Sequence, residues 1–249
     1  MIKIHRSPTI PKYLTEKNWE RAKNNVQWQL LKDFYGKCYI CEDEVRKDAE
    51  VEHLLPVAVY PEHKFDWDNL FLSCSHCNKH KGARLNIIDC CKVDPERRIL
   101  QKAVVIVDSK SDEDNPQKRK FCNITVTPID PEDIEACATA ALIQDCFTKE
   151  GSEFRGRALY CLTKDLKDSL DTLEIVIGEY EERKKAGENT VFQCKTLKQL
   201  VAAHQKFAGF LRTRLRELAE KNEELAPLVT FEEADEIIDI ENDRTEVSV

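Results

Sequence analysis

Apolar residues recur at helical spacing in three parts of the chain. The first set is Trp19, Ala22, Val26 and Leu30, one side of a helix. Thr15 stands where an N-cap would, and Gly36 where the helix would stop. The second set begins after Pro131 and runs through Ile134, Ala138, Leu142 and Cys146, then Leu159, Leu162, Leu166, Leu170, Leu173 and Ile177. After a break at Gly187-Glu188-Asn189, the third runs through Leu197, Leu200, Val201, His204, Phe207, Leu211, Leu215 and Leu218 until Pro227. The last two sets predict a domain of about four helices over residues 131–228.

Elsewhere the pattern is that of short strands. Ala49 to Leu55 is β-compatible and closes at Pro56, and Leu70-Phe71-Leu72 is a second such run. No Pro or Gly interrupts the segment from Cys74 to Gly82, so a short helix fits there. The predicted order is strand, loop, strand, helix within residues 37–100. A connector over 101–130 carries two further candidates, Val104–Val107 and Asn123–Thr127, around a polar loop from Ser109 to Lys120. Residues 1–36 form a Pro-interrupted extension, with Pro8 and Pro11, followed by the lead helix.

Composition narrows the class. Of 249 residues, 34% are charged and 41% hydrophobic, as in an ordinary globular chain. No apolar run approaches the roughly 20 residues a spanning helix needs, and Met1 to Pro8 lacks the core of a secretory signal. A cytoplasmic protein without membrane contact is the expectation. The net charge of −8 argues against nonspecific coating of nucleic acid. Eight acids (Glu232, Glu233, Asp235, Glu236, Asp239, Glu241, Asp243 and Glu246) lie close together, opposed only by Arg244. Without this acidic tail, residues 229–249, the body is close to neutral and can hold a local basic cleft.

Eleven cysteines are present. In a reducing compartment, Cys38-Tyr-Ile-Cys41 and Cys74-Ser-His-Cys77 read as metal ligands rather than disulfides. Thiolates at this spacing occupy two corners of a zinc tetrahedron, and two such turns close it. A closed four-sulfur site has no open position, so this Zn2+ is expected to be structural. Cys90, Cys91, Cys122, Cys137, Cys146, Cys161 and Cys194 read as small buried apolar residues.

Catalytic chemistry then falls to other residues of the module. Glu52-His53 ends the first strand. The pleat sends adjacent side chains to opposite faces unless the strand bends, and Pro56 makes a bend there plausible. A neutral imidazole suits a general base acting on water, and a carboxylate suits a hard divalent cation. Lys79, His80, Lys81 and Arg84 follow the last cysteine and are candidate phosphate contacts. His76 reads as an exposed or supporting hydrogen-bond donor.

The layout of paired cysteines, acid-His, Trp67-Asp68-Asn69-Leu70 and Cys77-Asn78-Lys79-His80-Lys81-Gly82 resembles the HNH endonucleases. That resemblance implies an α+β fold, a zinc-stapled ββα-metal (HNH) module followed by a mainly α-helical C-terminal domain. It implies that His53 is the general base, Asn69 fixes the loop and orients His53, and Glu52 and Asn78 bind the catalytic cation. Lys81-Gly82 matches a Lys common on the same helix. Glu52 replaces the more frequent Asp, and Asn78 replaces a His. An amide oxygen favours Mg2+ or Mn2+ over softer metals.

Residues 1–100 more closely resemble the HNH subunits of Septu and related retron-associated anti-phage systems. The resemblance implies an ABC or SMC-like ATPase partner, and a retron reverse transcriptase with its RNA/DNA product. It also implies a DNA or RNA substrate. The helical domain is the expected docking part. Two other classes stay open: a free-standing HNH restriction or repair nuclease, and a non-catalytic zinc module that only binds nucleic acid or protein.

Overall fold

The computed structural model describes residues 1–45, 48–107, 120–148, 153–220, 225, 226 and 229. The polar loop between the later strands, up to residue 119, and the acidic tail from residue 230 onward lie outside them.

The lead helix α1 spans Trp19–Asp33. Its N-cap is Asn18, whose side chain accepts from the Arg21 amide. Thr15, the expected cap, lies before it. Ala22, Val26 and Leu30 are buried as the spacing predicts. Gly36, at φ 67°, ends the helix with its amide on the Leu31 carbonyl, the left-handed turn that costs glycine least.

Strand β1, Ala49–His53, pairs antiparallel with β2, Leu70–Cys74, in the register Ala49↔Cys74 to His53↔Leu70. Helix α2, Ser75–Lys81, follows directly. The strand-loop-strand-helix order is the expected one, with β1 ending two residues earlier. Strands β3, Ile99–Val107, and β4, Lys120–Pro128, form a second antiparallel pair.

Among the described residues four helices follow: α3 Ile134–Thr148, α4 Glu153–Lys185, α5 Val191–Leu200 and α6 Ala208–Ala219. On α4, Leu162, Leu166, Leu170, Leu173, Ile177 and Tyr180 form one buried stripe. On α3 the buried side is wider than expected. Leu142 and Cys146 are buried as the spacing predicts and Ile134 is exposed, while Ala136, Ala140, Ile143 and Phe147 are covered as well, because α3 lies across β4 and against α2. Asp133 holds the start of α3. It accepts from the Ala136 amide and from Arg98, which keeps its carboxyl at about 2.

The apolar run from Leu197 to Leu218 is not one helix. Residues 201–207 break it, and Phe207 is left-handed at φ 56°. Tertiary contacts fill the break. The Lys37 ammonium donates to the carbonyls of Ala203 and Gln205, the Phe207 amide reaches the Glu42 carbonyl, and Arg212 donates to the Val201 carbonyl. Lys37 and Glu42 flank the first cysteine pair, so the knuckle grips the helical half directly. A single buried apolar cluster accordingly runs from Met1 to Leu225. Among the described residues no helix is long and apolar enough to cross a membrane.

Candidate functional site

The first cysteine pair sits in a tight turn. Residue Glu42, at φ 61°, returns its amide to the Cys38 carbonyl, and Lys37 bridges to Glu44. The Tyr39 amide then bonds the Leu72 carbonyl, fastening this turn to β2. The second pair starts α2, where Cys74 is the N-cap and its sulfur accepts from the Cys77 amide at 3.4 Å.

The two turns bring the sulfurs of Cys38, Cys41, Cys74 and Cys77 within 4.8 Å of one another. Zn–S bonds of ~2.3 Å place tetrahedral sulfurs about 3.8 Å apart, so the four could hold such an ion. Burial and the Cys146 thiol push Cys77 well up. Burial would also raise Cys38, but hydrogen bonds from the other three thiols bring it well below the ordinary value. Four thiols in this space cannot all ionise without a cation among them.

Helix α3 closes over the same turn. The His76 Nε2 donates to the Cys146 carbonyl at 2.8 Å, and Arg84 pairs with Asp145 at 2.5 Å. His76 therefore takes the supporting role expected of it. Cys146 and Cys90 are buried, but Cys161 is exposed and Cys91, Cys137 and Cys194 are only partly covered. The expectation of buried cysteines fails at these four.

At the end of β1 the side chains part. Glu52 and His53 both remain in the strand, so no bend brings them together, and pleating directs them to opposite faces. Glu52 is buried and its Oε1 lies 2.8 Å from the Lys81 ammonium. Burial raises its carboxyl above the ordinary value, against the pull of Lys81 and with a push from Glu50. Lys81 also donates to the His53 carbonyl at 2.8 Å.

His53 turns instead toward α1 and the loop. Its ring centre lies 6.3 Å from that of Trp19, and its Nε2 is 3.0 Å from the Lys64 carbonyl. A carbonyl can only accept, so the Nε2–H is fixed there and the neutral ring keeps its lone pair on Nδ1. Burial lowers the imidazole value, with Lys81 and Lys64 adding to the effect. The Lys64 carbonyl contact opposes this lowering.

Asn69 is buried at the start of β2 and staples the intervening loop. Its Oδ1 accepts from the Leu55 amide at 2.7 Å, while its Nδ2 donates to the carbonyls of Leu55 and His63, each at 3.1 Å. That loop carries Lys64, whose carbonyl holds His53. An open cleft of ≈ 740 Å³ runs beside it, walled in part by Arg6, Leu55, Phe65, Trp67 and Asn69. Arg6 lies over the Trp67 ring at 4.1 Å and donates to the Leu70 carbonyl.

Asn78 faces β1, where its Nδ2 donates to Glu50. Glu50 lies two residues before Glu52, hence on the same face of the strand. Sequence reasoning passed over Glu50, although the i, i+2 spacing of two acids was the available signal. Glu50, Glu52 and Asn78 supply only oxygen donors, a set that fits a hard divalent cation.

The residues of the expected phosphate-binding run are placed differently from one another. Lys81 is fully buried against Glu52. Arg84 is engaged by Asp145, and the His80 ring packs 4.7 Å from that of His76. Lys79 alone among the four is exposed. The run ends a short helix packed against β1, β2 and α3, so Lys81 points inward while Lys79 points outward.

With this geometry in place, the comparison with known proteins is direct. Residues 38–84 match the family model described as HNH endonuclease. This segment is an HNH module. A stretch of 73 residues is also 40% identical to the Septu protein PtuB of Bacillus thuringiensis. The similarity covers 28% of this chain and 28% of that protein, so most of each chain lies outside it. Both cysteine pairs, Glu52, His53, Asn69, Asn78 and Lys81 lie inside the matched segment.

Proposed function

We propose that this protein is a metal-dependent endonuclease that hydrolyses nucleic-acid phosphodiester bonds as the effector of an anti-phage defence complex with an ATPase partner. The single observation that carries the reading is His53. It is an imidazole whose Nε2–H is held by the Lys64 carbonyl at the end of β1, next in the chain to Glu52, within a segment matching the HNH endonucleases. The partial identity to a Septu protein supports the defence role.

In this reading Cys38, Cys41, Cys74 and Cys77 bind a structural Zn2+, which fixes α2 against β1 and β2. Glu52 and Asn78 hold Mg2+ or Mn2+ through oxygen. When bound, that cation offsets the negative charge that builds on the phosphoryl group and the departing oxygen. His53 accepts a proton at Nδ1 from the attacking water. The new bond forms between water oxygen and phosphorus as the bond from phosphorus to the 3′-oxygen breaks, and solvent returns a proton to that oxygen. Asn69 acts through the loop by keeping the Lys64 carbonyl on His53. Lys79 is the remaining exposed candidate of the basic run for a flanking phosphate. Residues 131–228 dock the ATPase.

The test is cleavage of DNA and RNA in Mg2+ or Mn2+, by wild type and His53→Ala, each with and without a candidate ATPase partner. Loss of cleavage in His53→Ala at unchanged zinc content supports the assignment. Equal cleavage by both proteins overturns it.

A further inference from the structure

Two side-chain pairs cross between β1 and α2, and they are reciprocal. On β1, Glu52 is met by Lys81 of α2 at 2.8 Å. On α2, Asn78 donates its Nδ2 to Glu50 of β1. Asn78 and Lys81 are three residues apart on one helix, and Glu50 and Glu52 two apart on one strand, so each pair lies along a single face. Each residue assigned to the cation is thus braced by a residue of the facing element.

We infer that Glu50 is a positioning residue for the cation site: by accepting from Nδ2 of Asn78, it turns the Oδ1 of that amide toward the metal. The inference rests on the proposed role of Glu52 and Asn78 and adds a residue that role did not include. An amide presents a donor and an acceptor on opposite branches. A free Asn side chain can turn either branch toward a cation, and only the oxygen binds it. A carboxylate beside one branch removes the choice, since two acceptors repel and the NH2 is drawn in. Lys81 does the equivalent for Glu52. It holds Oε1, and its positive charge is too deeply buried to serve substrate directly.

The arrangement also explains why Asn can stand at this position. An imidazole ligand is oriented by what holds its other nitrogen, and here Glu50 does that for an amide. The carboxylate is needed as an acceptor rather than as a charge. Glu50→Gln retains an oxygen that can take the Asn78 hydrogen bond, whereas Glu50→Ala does not.

The experiment is Mn2+ binding to the full-length protein by titration calorimetry, with electron paramagnetic resonance of free Mn2+ as a second readout. Zinc content and melting temperature are followed alongside. Glu50→Ala is expected to weaken Mn2+ binding about 10–100-fold with zinc content unchanged, and Glu50→Gln to recover most of the affinity. Wild-type affinity in Glu50→Ala overturns the inference. So does equal loss in Glu50→Gln and Glu50→Ala, which would make Glu50 a ligand acting through its charge. Glu52→Ala and Asn78→Ala separate the two levels. If neither weakens Mn2+ binding, the cation-site reading itself fails. If both do and Glu50→Ala does not, only the positioning role fails.

Discussion

The Lys81 ammonium lies 2.8 Å from Oε1 of Glu52, on a lysine side chain with no exposure to solvent. A charge so buried is tolerated because its partner and the His53 carbonyl, also at 2.8 Å, replace the lost water. Removing one member leaves the other charged and unpaired. Lys81→Met should therefore destabilise the protein by about 3–5 kcal/mol, read as a lower midpoint in urea. Lys81→Met with Glu52→Gln should lose less, because no unpaired charge then remains. A single variant as stable as wild type would refute a buried ion pair here.

His53 predicts a pH dependence with a definite sign. As a base it must be neutral, so kcat/KM should rise with pH through its titration and then level off. Burial against Trp19, with Lys64 and Lys81 nearby, holds the value below the ordinary 6.5, whereas the Lys64 carbonyl acts in the opposite direction. The midpoint of the acidic limb is therefore expected below 6.5 in the wild type. Trp19→Ala exposes the ring and should move the limb upward toward 6.5. A limb that stays put in this variant would show that Trp19 burial does not set the value.

The four-cysteine cluster predicts a separable metal dependence. Cys38→Ala should lose zinc, measured by elemental analysis, and should melt at a lower temperature than wild type. His53→Ala should keep its zinc and its melting temperature. A strong chelator should reproduce the Cys38→Ala result, because metal binding free energy at such a site is folding free energy. Unchanged melting after complete zinc removal would contradict a stapling role.

Gly209 marks the contact between the first knuckle and α6. Its amide donates to Oε2 of Glu42 at 3.0 Å, and an added Cβ would lie 2.1 Å from the Gln101 side chain and 2.7 Å from Oε1 of Glu42. Gly209→Ala should cost on the order of 1–3 kcal/mol through overpacking, seen in chemical denaturation. Its zinc content should remain that of wild type, since no ligand moves out of the chain.

Local order was readable before any coordinates. Apolar spacing placed α1 and the buried stripe of α4, and the cysteine pairs with Glu52, His53, Asn69 and Asn78 marked the module that matches the HNH endonucleases. These signals are short-range: helical period, strand length and x-x spacing are all set by neighbours in the chain. The partners of those residues were not readable, because they are chosen by packing between distant segments. Lys81 looked like a surface cation until α2 settled on β1 and turned it onto Glu52. Residues 201–207 looked helical until Lys37 and Glu42, more than 150 residues earlier, took their backbone hydrogen bonds. Glu50 became a candidate only when α2 brought Asn78 to its side. The chain itself names the chemical groups of the site; only tertiary packing decides which of them stay charged, which are paired, and which remain free to meet a substrate, because desolvation and hydrogen-bond partnership exist only once the elements touch.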